Sequence, residues 1–246
     1  LPSAGVAVPV PKVLESADHA RRAAGDLRRS LGLEGPLGDM ADVLARTGLY
    51  LQVVPGLQGG ASLLLAEGLG VAVIGGGDEP GRRRMTASHE LGHYLMQDEY
   101  RSDIGVAASR DARERLIEAF AAEFLLPQPE VRTRWDAMTG PPRDRLVRLA
   151  LDYRVSWSVV VSAAQQAGVL DDRGAHEAAA KPAVRSEFLA LAGRAPREDL
   201  VPMDMAVMWQ QAVLRAYSDG RITKSRVVEL VHGALTESDL PDLELD

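Results

Sequence analysis

His89 and His93 stand four residues apart in the run His89-Glu90-Leu91-Gly92-His93, inside a stretch from Arg82 onward whose apolar residues recur with a helical period. On a helix that spacing puts both imidazoles on one face, with Cβ atoms about 5–6 Å apart, so both reach a single tetrahedral metal ion. Glu90 falls one step round the helix, beside the ion rather than on it. A carboxylate there accepts a proton from metal-activated water as the water attacks a carbonyl. Ala87 and Gly92 leave room on this helix for close approach by a neighbouring element.

Two histidines need a third ligand. Further along, Glu114-Arg115-Leu116-Ile117-Glu118 opens a second helical segment, with Glu114 and Glu118 on one face. A His-His-Glu set with one open position is a catalytic zinc arrangement, whereas a structural site closes all four positions with protein ligands. The reading adopted has Glu114 on the metal and Glu118 behind it, accepting a hydrogen bond that orients an imidazole. Spacing alone also allows the reverse assignment, and both glutamates would equally suit a solvated acidic helix face.

At this point the chain resembles a known family. Arg84-Met85-Thr86-Ala87-Ser88-His89-Glu90-Leu91-Gly92-His93, then Glu114, then Phe120-Ala121-Ala122-Glu123-Phe124-Leu125-Leu126-Pro127 resembles the ImmA/IrrE metallopeptidases. The resemblance implies Glu114 as the ligand. It also implies an endopeptidase whose substrate is a helix-turn-helix transcriptional repressor, cut to relieve repression under stress. The family pattern has Asn where this chain has Glu118, and often Met where it has Leu126. Asp152-Tyr153-Arg154-Val155-Ser156 resembles the family's helix-turn-helix-like region.

The elements that must position these residues are mostly helical. Helices are predicted over Glu15–Leu33, with Arg21, Arg22, Arg28 and Arg29 off its apolar stripe, and over Asp39–Thr47, with Asp39 as N-cap and Gly48 at its end. Three β-like runs follow, Leu49–Val54, Ala61–Ala66 and Val71–Ile74, divided by Pro55-Gly56, Gly59-Gly60 and Gly68, which predicts a small, mostly antiparallel sheet. Gly75-Gly76-Gly77-Asp78 lacks the Lys-Ser/Thr of a phosphate-binding loop and is read as a turn. Beyond the active-site helix come an irregular stretch (Asp98–Ser109), a helix from Asp111 to Leu126 stopped by Pro127, and helices at Arg143–Tyr153 and Ser156–Ala167. Further helices are expected near His176–Leu191, Met203–Tyr217 and Lys224–Leu235. The expected fold is α+β: a leader over 1–13, a metallopeptidase domain over 14–170, and a helical extension over 171–246.

Composition narrows the function classes. With 46% hydrophobic and 26% charged residues over 246 positions, the chain can bury a full core. It has no cysteine, which leaves no thiol nucleophile or cysteine-ligated metal and fits a reducing cytoplasm. No run approaches the ~20 apolar residues of a membrane span. A net charge of −7 weighs against a surface that binds nucleic acid as a whole. Two competing readings remain. One is a DNA-binding regulator using Arg143, Arg145, Arg148 and Arg154 with Ser156–Gln166 as recognition helix. The other is a metal-sensing regulatory protein with little peptidase activity, which would have no use for Glu90. Tyr94, Tyr100, Tyr153 and His176 are candidates for a group that stabilises an oxyanion, each more simply a packing or surface residue, while His19 and His232 are read as structural.

Overall fold

A computed structural model describes residues 13–97 and 107–243, the stretch 107–109 in backbone only. The expected leader and most of the irregular stretch Asp98–Ser109, with Tyr100, lie outside the described residues. The fold is α+β, with eleven α-helices and one three-stranded sheet among the described residues.

Helix α1 (Ala17–Ser30) starts where the Ser16 hydroxyl accepts from His19 N at 3.2 Å, and it buries a stripe of Ala20, Ala23, Ala24 and Leu27. Those small residues let α1 lie close along α4 (Ala107–Leu125). Arg28, expected on the outer side, is instead 3% exposed. Its guanidinium donates to Phe124 O at 2.8 Å, to Gly35 O and to Glu130 Oε1 at 3.0 Å, and three acceptors make its burial tolerable. Helix α2 (Met40–Ala45) has Asp39 as N-cap, accepting from Ala41 N at 3.0 Å. Gly48 follows at φ +86°, and Gly48 O accepts from Gly70 N at 2.9 Å.

Strands β1 (Leu49–Val54), β2 (Gly60–Ala66) and β3 (Leu69–Gly75) pair in the order β1-β3-β2. The sheet is mixed rather than mostly antiparallel: β2 and β3 form a hairpin across Glu67-Gly68, while β1 runs parallel to β3. The reason lies in β3. It buries Ala72 and Ile74 and is apolar along its length, so it takes the centre, where both of its edges are paired, and β2 becomes an edge strand. Gly76-Gly77 forms the expected turn, with Asp78 accepting from Gly59 N at 3.0 Å.

Helix α3 (Pro80–Leu95) crosses the sheet. A Cβ at Gly81 would lie 2.5 Å from Ser156 N, so only glycine lets the start of α3 meet the turn between α6 (Pro142–Tyr153) and α7 (Trp157–Gln166). That turn has Arg154 in the left-handed region and Ser156 as N-cap. Two differences concern prolines. Pro127 ends α4 but also begins a helix the sequence reading passed over, α5 (Gln128–Ala137), whose first turn holds Pro129 and Glu130. The helix expected near His176–Leu191 is two, α8 (Asp172–Ala179) and α9 (Arg185–Ala192), because Pro182 cannot continue α8.

The C-terminal section folds back on the rest. Before α10 (Val207–Ser218), Glu198 and Asp199 reach Arg83 and Arg84 of α3, and Val207 N donates to Asp42 at 2.6 Å. The Trp209 ring lies 5.6 Å from that of Tyr50, and its indole N–H donates to Leu230 O in α11 (Lys224–Leu230) at 2.9 Å. Trp209 thereby joins the main core to a small cluster of Val213, Tyr217, Val227, Val231 and Leu240. No helix among the described residues is long and apolar enough to cross a membrane.

Candidate metal centre

The centre is built where α3 crosses α4. At the crossing is Gly92, where a Cβ would lie 2.9 Å from Ile117 Cγ2 and 3.4 Å from the Phe120 ring. This close approach sets Glu114, one turn before Ile117, against the two histidines. Glu114 Oε2 is 3.2 Å from His89 Nε2 and 3.6 Å from His93 Nε2, and the two Nε2 atoms are 3.0 Å apart. Gly92→Ala is expected to destabilise the fold. Overpacking against the fully buried Ile117 costs about 1–3 kcal/mol, more than the ~1 kcal/mol gained in helix propensity. A urea midpoint at or above the parent's would show that the helices can part without cost.

Burial, reinforced by the neighbouring His93, pushes the His89 imidazole below its ordinary range, against the opposing pull of Glu90, Glu114 and Glu118. It is therefore neutral near pH 7, which is the form that binds metals. His89, His93 and Glu114 offer three ligand atoms within 4.8 Å of one another. Glu118, one turn beyond Glu114, is exposed and lies outside that group, though its charge acts on His89.

Glu90 is 7% exposed and is held from the sheet. The Ser62 hydroxyl on β2 is 2.7 Å from Glu90 Oε2 and 3.2 Å from Glu90 O. The strand comes this close because it begins with Gly60, where a Cβ would lie 2.7 Å from Thr86 Cγ2 and 3.1 Å from Glu90 Cγ. Neither Ser62 nor Gly60 carried a chemical signature in the sequence, since an edge-strand serine reads like any other. Alternation would have placed Ser62 on the inner face, without naming what it meets there.

The other candidates are used elsewhere. Tyr94 is 7% exposed and donates to Thr47 O at 3.1 Å, and Tyr153, fully buried, donates to Glu130. His176 is exposed on α8. Of the arginines considered for DNA, Arg143 pairs with Glu187 at 2.6 Å, Arg145 donates to Gly140 O at 3.1 Å and lies over Trp135, and Arg154 bonds Asp199 and the carbonyls of Leu37 and Gly38. On α7, Gln165 bonds Asp172 and Gln166 bonds Arg21.

Residues 68–164 match the family model of the IrrE N-terminal-like domain, peptidase family M78. Over that span, less than half of the chain, the sequence is similar to this peptidase family's domain. No curated protein matches the chain. The matched span runs from the β2–β3 turn into α7 and contains His89, Glu90, His93, Glu114 and Glu118. Ser62, which holds Glu90, and Asp199, which holds Arg84, both lie outside the matched span.

Proposed function

We propose that this protein is a zinc-dependent endopeptidase, with one ion on His89, His93 and Glu114 and with Glu90 as general base, whose substrate is a helix-turn-helix transcriptional repressor. The observation that carries the reading is the convergence of the three ligand atoms from two helices. The donors fit the ion. Tetrahedral zinc with bonds near 2.0–2.1 Å needs its ligand atoms about 3.3–3.4 Å apart, and separations of 3.0, 3.2 and 3.6 Å straddle that value. With three protein ligands, a fourth position stays open, as catalysis requires.

When bound, the ion would polarise a peptide carbonyl and acidify water. The protein's part is proton handling and position. Glu90, anchored through Oε2 by Ser62, takes a proton from the attacking water and delivers it to the departing amine. Its burial beneath β2 excludes bulk water that would otherwise compete for that carboxylate. Glu118 would orient an imidazole or balance its charge from one turn away. The repressor substrate rests on the resemblance of residues 84–93, 114 and 120–127 to the ImmA/IrrE metallopeptidases, and relief of repression under stress would be its outcome.

The test is metal content by mass spectrometry on protein purified without added metal, comparing the parent with His93→Ala, Glu114→Ala and Glu118→Ala. Near-stoichiometric zinc is expected in the parent, lost in the first two variants and largely kept in Glu118→Ala. A parent that holds no metal even when zinc is supplied would sink the reading. Retention in Glu114→Ala with loss in Glu118→Ala would exchange the two roles.

A further inference from the structure

Away from the metal centre, two adjoining hollows open between α6 and the segment after α9, of about 450 and 200 Å³, sharing Leu151, Asp152 and Arg194 as a common wall. Arg134 and Arg148 line the larger and Arg154 and Arg197 the smaller, so together they gather five arginines. Three carboxylates face them. Asp152 is shared, 3.2 Å from Arg194 and 3.8 Å from Arg134; Asp39 lines the smaller hollow; and Asp199 is 3.5 Å from Arg154. Arg148 and Arg197 are exposed and have no ion pair among the described residues. Glu198, the carboxylate next to Arg197 in the chain, is turned instead to Arg83 at 3.3 Å.

Counting Arg84, which shares Asp199, six arginines meet three carboxylates, a local excess of about three positive charges in a chain of net charge −7 that favours an anion. Arginines brought to these two hollows by α5, α6 and the segment after α9 suit an anion with several acceptor oxygens, which bidentate arginines recognise by geometry as well as charge. Ala137, Met138 and Ala192 give the larger hollow an apolar side. Its volume lies within the range of about 300–1,000 Å³ that small-molecule sites occupy. We propose that this cleft binds a small phosphate-bearing molecule with an apolar or planar body, of the size of a nucleoside monophosphate. The phosphate lies at the shared wall beside Arg194, with Arg148 flanking it from the larger hollow and Arg197 from the smaller, and the body rests along Met138. The site adjoins a mechanical element of the fold, because the two residues after Arg197 are Glu198 and Asp199, which clamp α3.

The test is calorimetric titration of the full chain with adenosine monophosphate and, separately, with inorganic phosphate. Saturable binding of the nucleotide is expected, weakened roughly tenfold or more in Arg148→Gln and in Arg197→Gln, each of which removes a charge-assisted hydrogen bond. Arg173→Gln, which removes the same charge from exposed α8, should change affinity less than about twofold. Weaker binding of inorganic phosphate at the same arginines identifies phosphate as the recognised group and the body as the source of added affinity. Absence of binding by both probes, or affinity unmoved in Arg148→Gln and Arg197→Gln, overturns the proposal. So does displacement of the nucleotide by duplex DNA with a steep salt dependence, which would assign these arginines to a nucleic-acid backbone.

Discussion

Glu90→Gln is expected to lower kcat/KM by about 10²–10⁴-fold while leaving zinc content unchanged. The substitution keeps shape and volume, and a glutamine carbonyl still accepts from Ser62, so β2 and α3 keep their contact. What goes is the basic lone pair. Because the proposed ligand atoms belong to His89, His93 and Glu114, a variant at Glu90 separates binding from chemistry. The measurement is single-turnover cleavage of a candidate repressor, read beside metal content. Ser62→Ala should reduce the rate far less, roughly tenfold, since it frees the carboxylate without removing it. Activity in Glu90→Gln within a few-fold of the parent would remove Glu90 from the role of base.

The second large effect is on stability. Arg84 is fully buried, donates to Asp199, and lies among the carbonyls of Leu37 and Gly38. Burial pulls its pKa down to about 10 in spite of the Asp199 charge, so the guanidinium stays charged at neutral pH but less comfortably than in water. Arg84 Nε and Asp199 Oδ1 have no hydrogen-bond partner among the described residues. The pair is thus a poor source of net stability, yet breaking it strands a charge at a cost of about 3–5 kcal/mol. The two halves are unequal. Removing Arg84 leaves Asp199 with Arg154, whereas removing Asp199 strands both arginines. Asp199→Ala should therefore lower the unfolding free energy by more than Arg84→Met, and Arg84→Met with Asp199→Leu should recover only the part due to Arg84, since Arg154 still lacks its counter-charge. Equal losses in the two single variants, measured by urea denaturation, would show that Arg154 does not take part.

Much of this was legible in the sequence because it rests on local periodicity. The histidine pair, the bracketing glycines and the strand lengths are all short-range signals: Leu49–Val54 was read as a strand with the bounds it has, and Asp39 caps the helix it was expected to cap. What escaped depends on long-range contact or on the two faces of proline. Pro127 stops α4 and also starts α5, because a residue that cannot donate N–H suits a helix start. The parallel pairing of β1 with β3 depends on which strand is most apolar throughout, not on any turn. Arg28 and Arg84 were indistinguishable from surface arginines, since burial of a charge is decided by partners as remote in sequence as Phe124 and Asp199.

The clamp on α3 also bears on the order of synthesis. Arg84 and Asp199 are 115 positions apart, so at about 5–20 residues per second the ribosome needs roughly 6 to 23 s to supply the arginine's counter-charge. For the last 85 of those positions the nascent chain already contains His89, His93 and Glu114 but not the carboxylate that pairs with Arg84 of the helix bearing the histidines. Docking of the 193–206 segment therefore comes late, and a stalled or truncated translation product ending before Asp199 would carry the motif with Arg84 of the same helix buried beside no counter-charge.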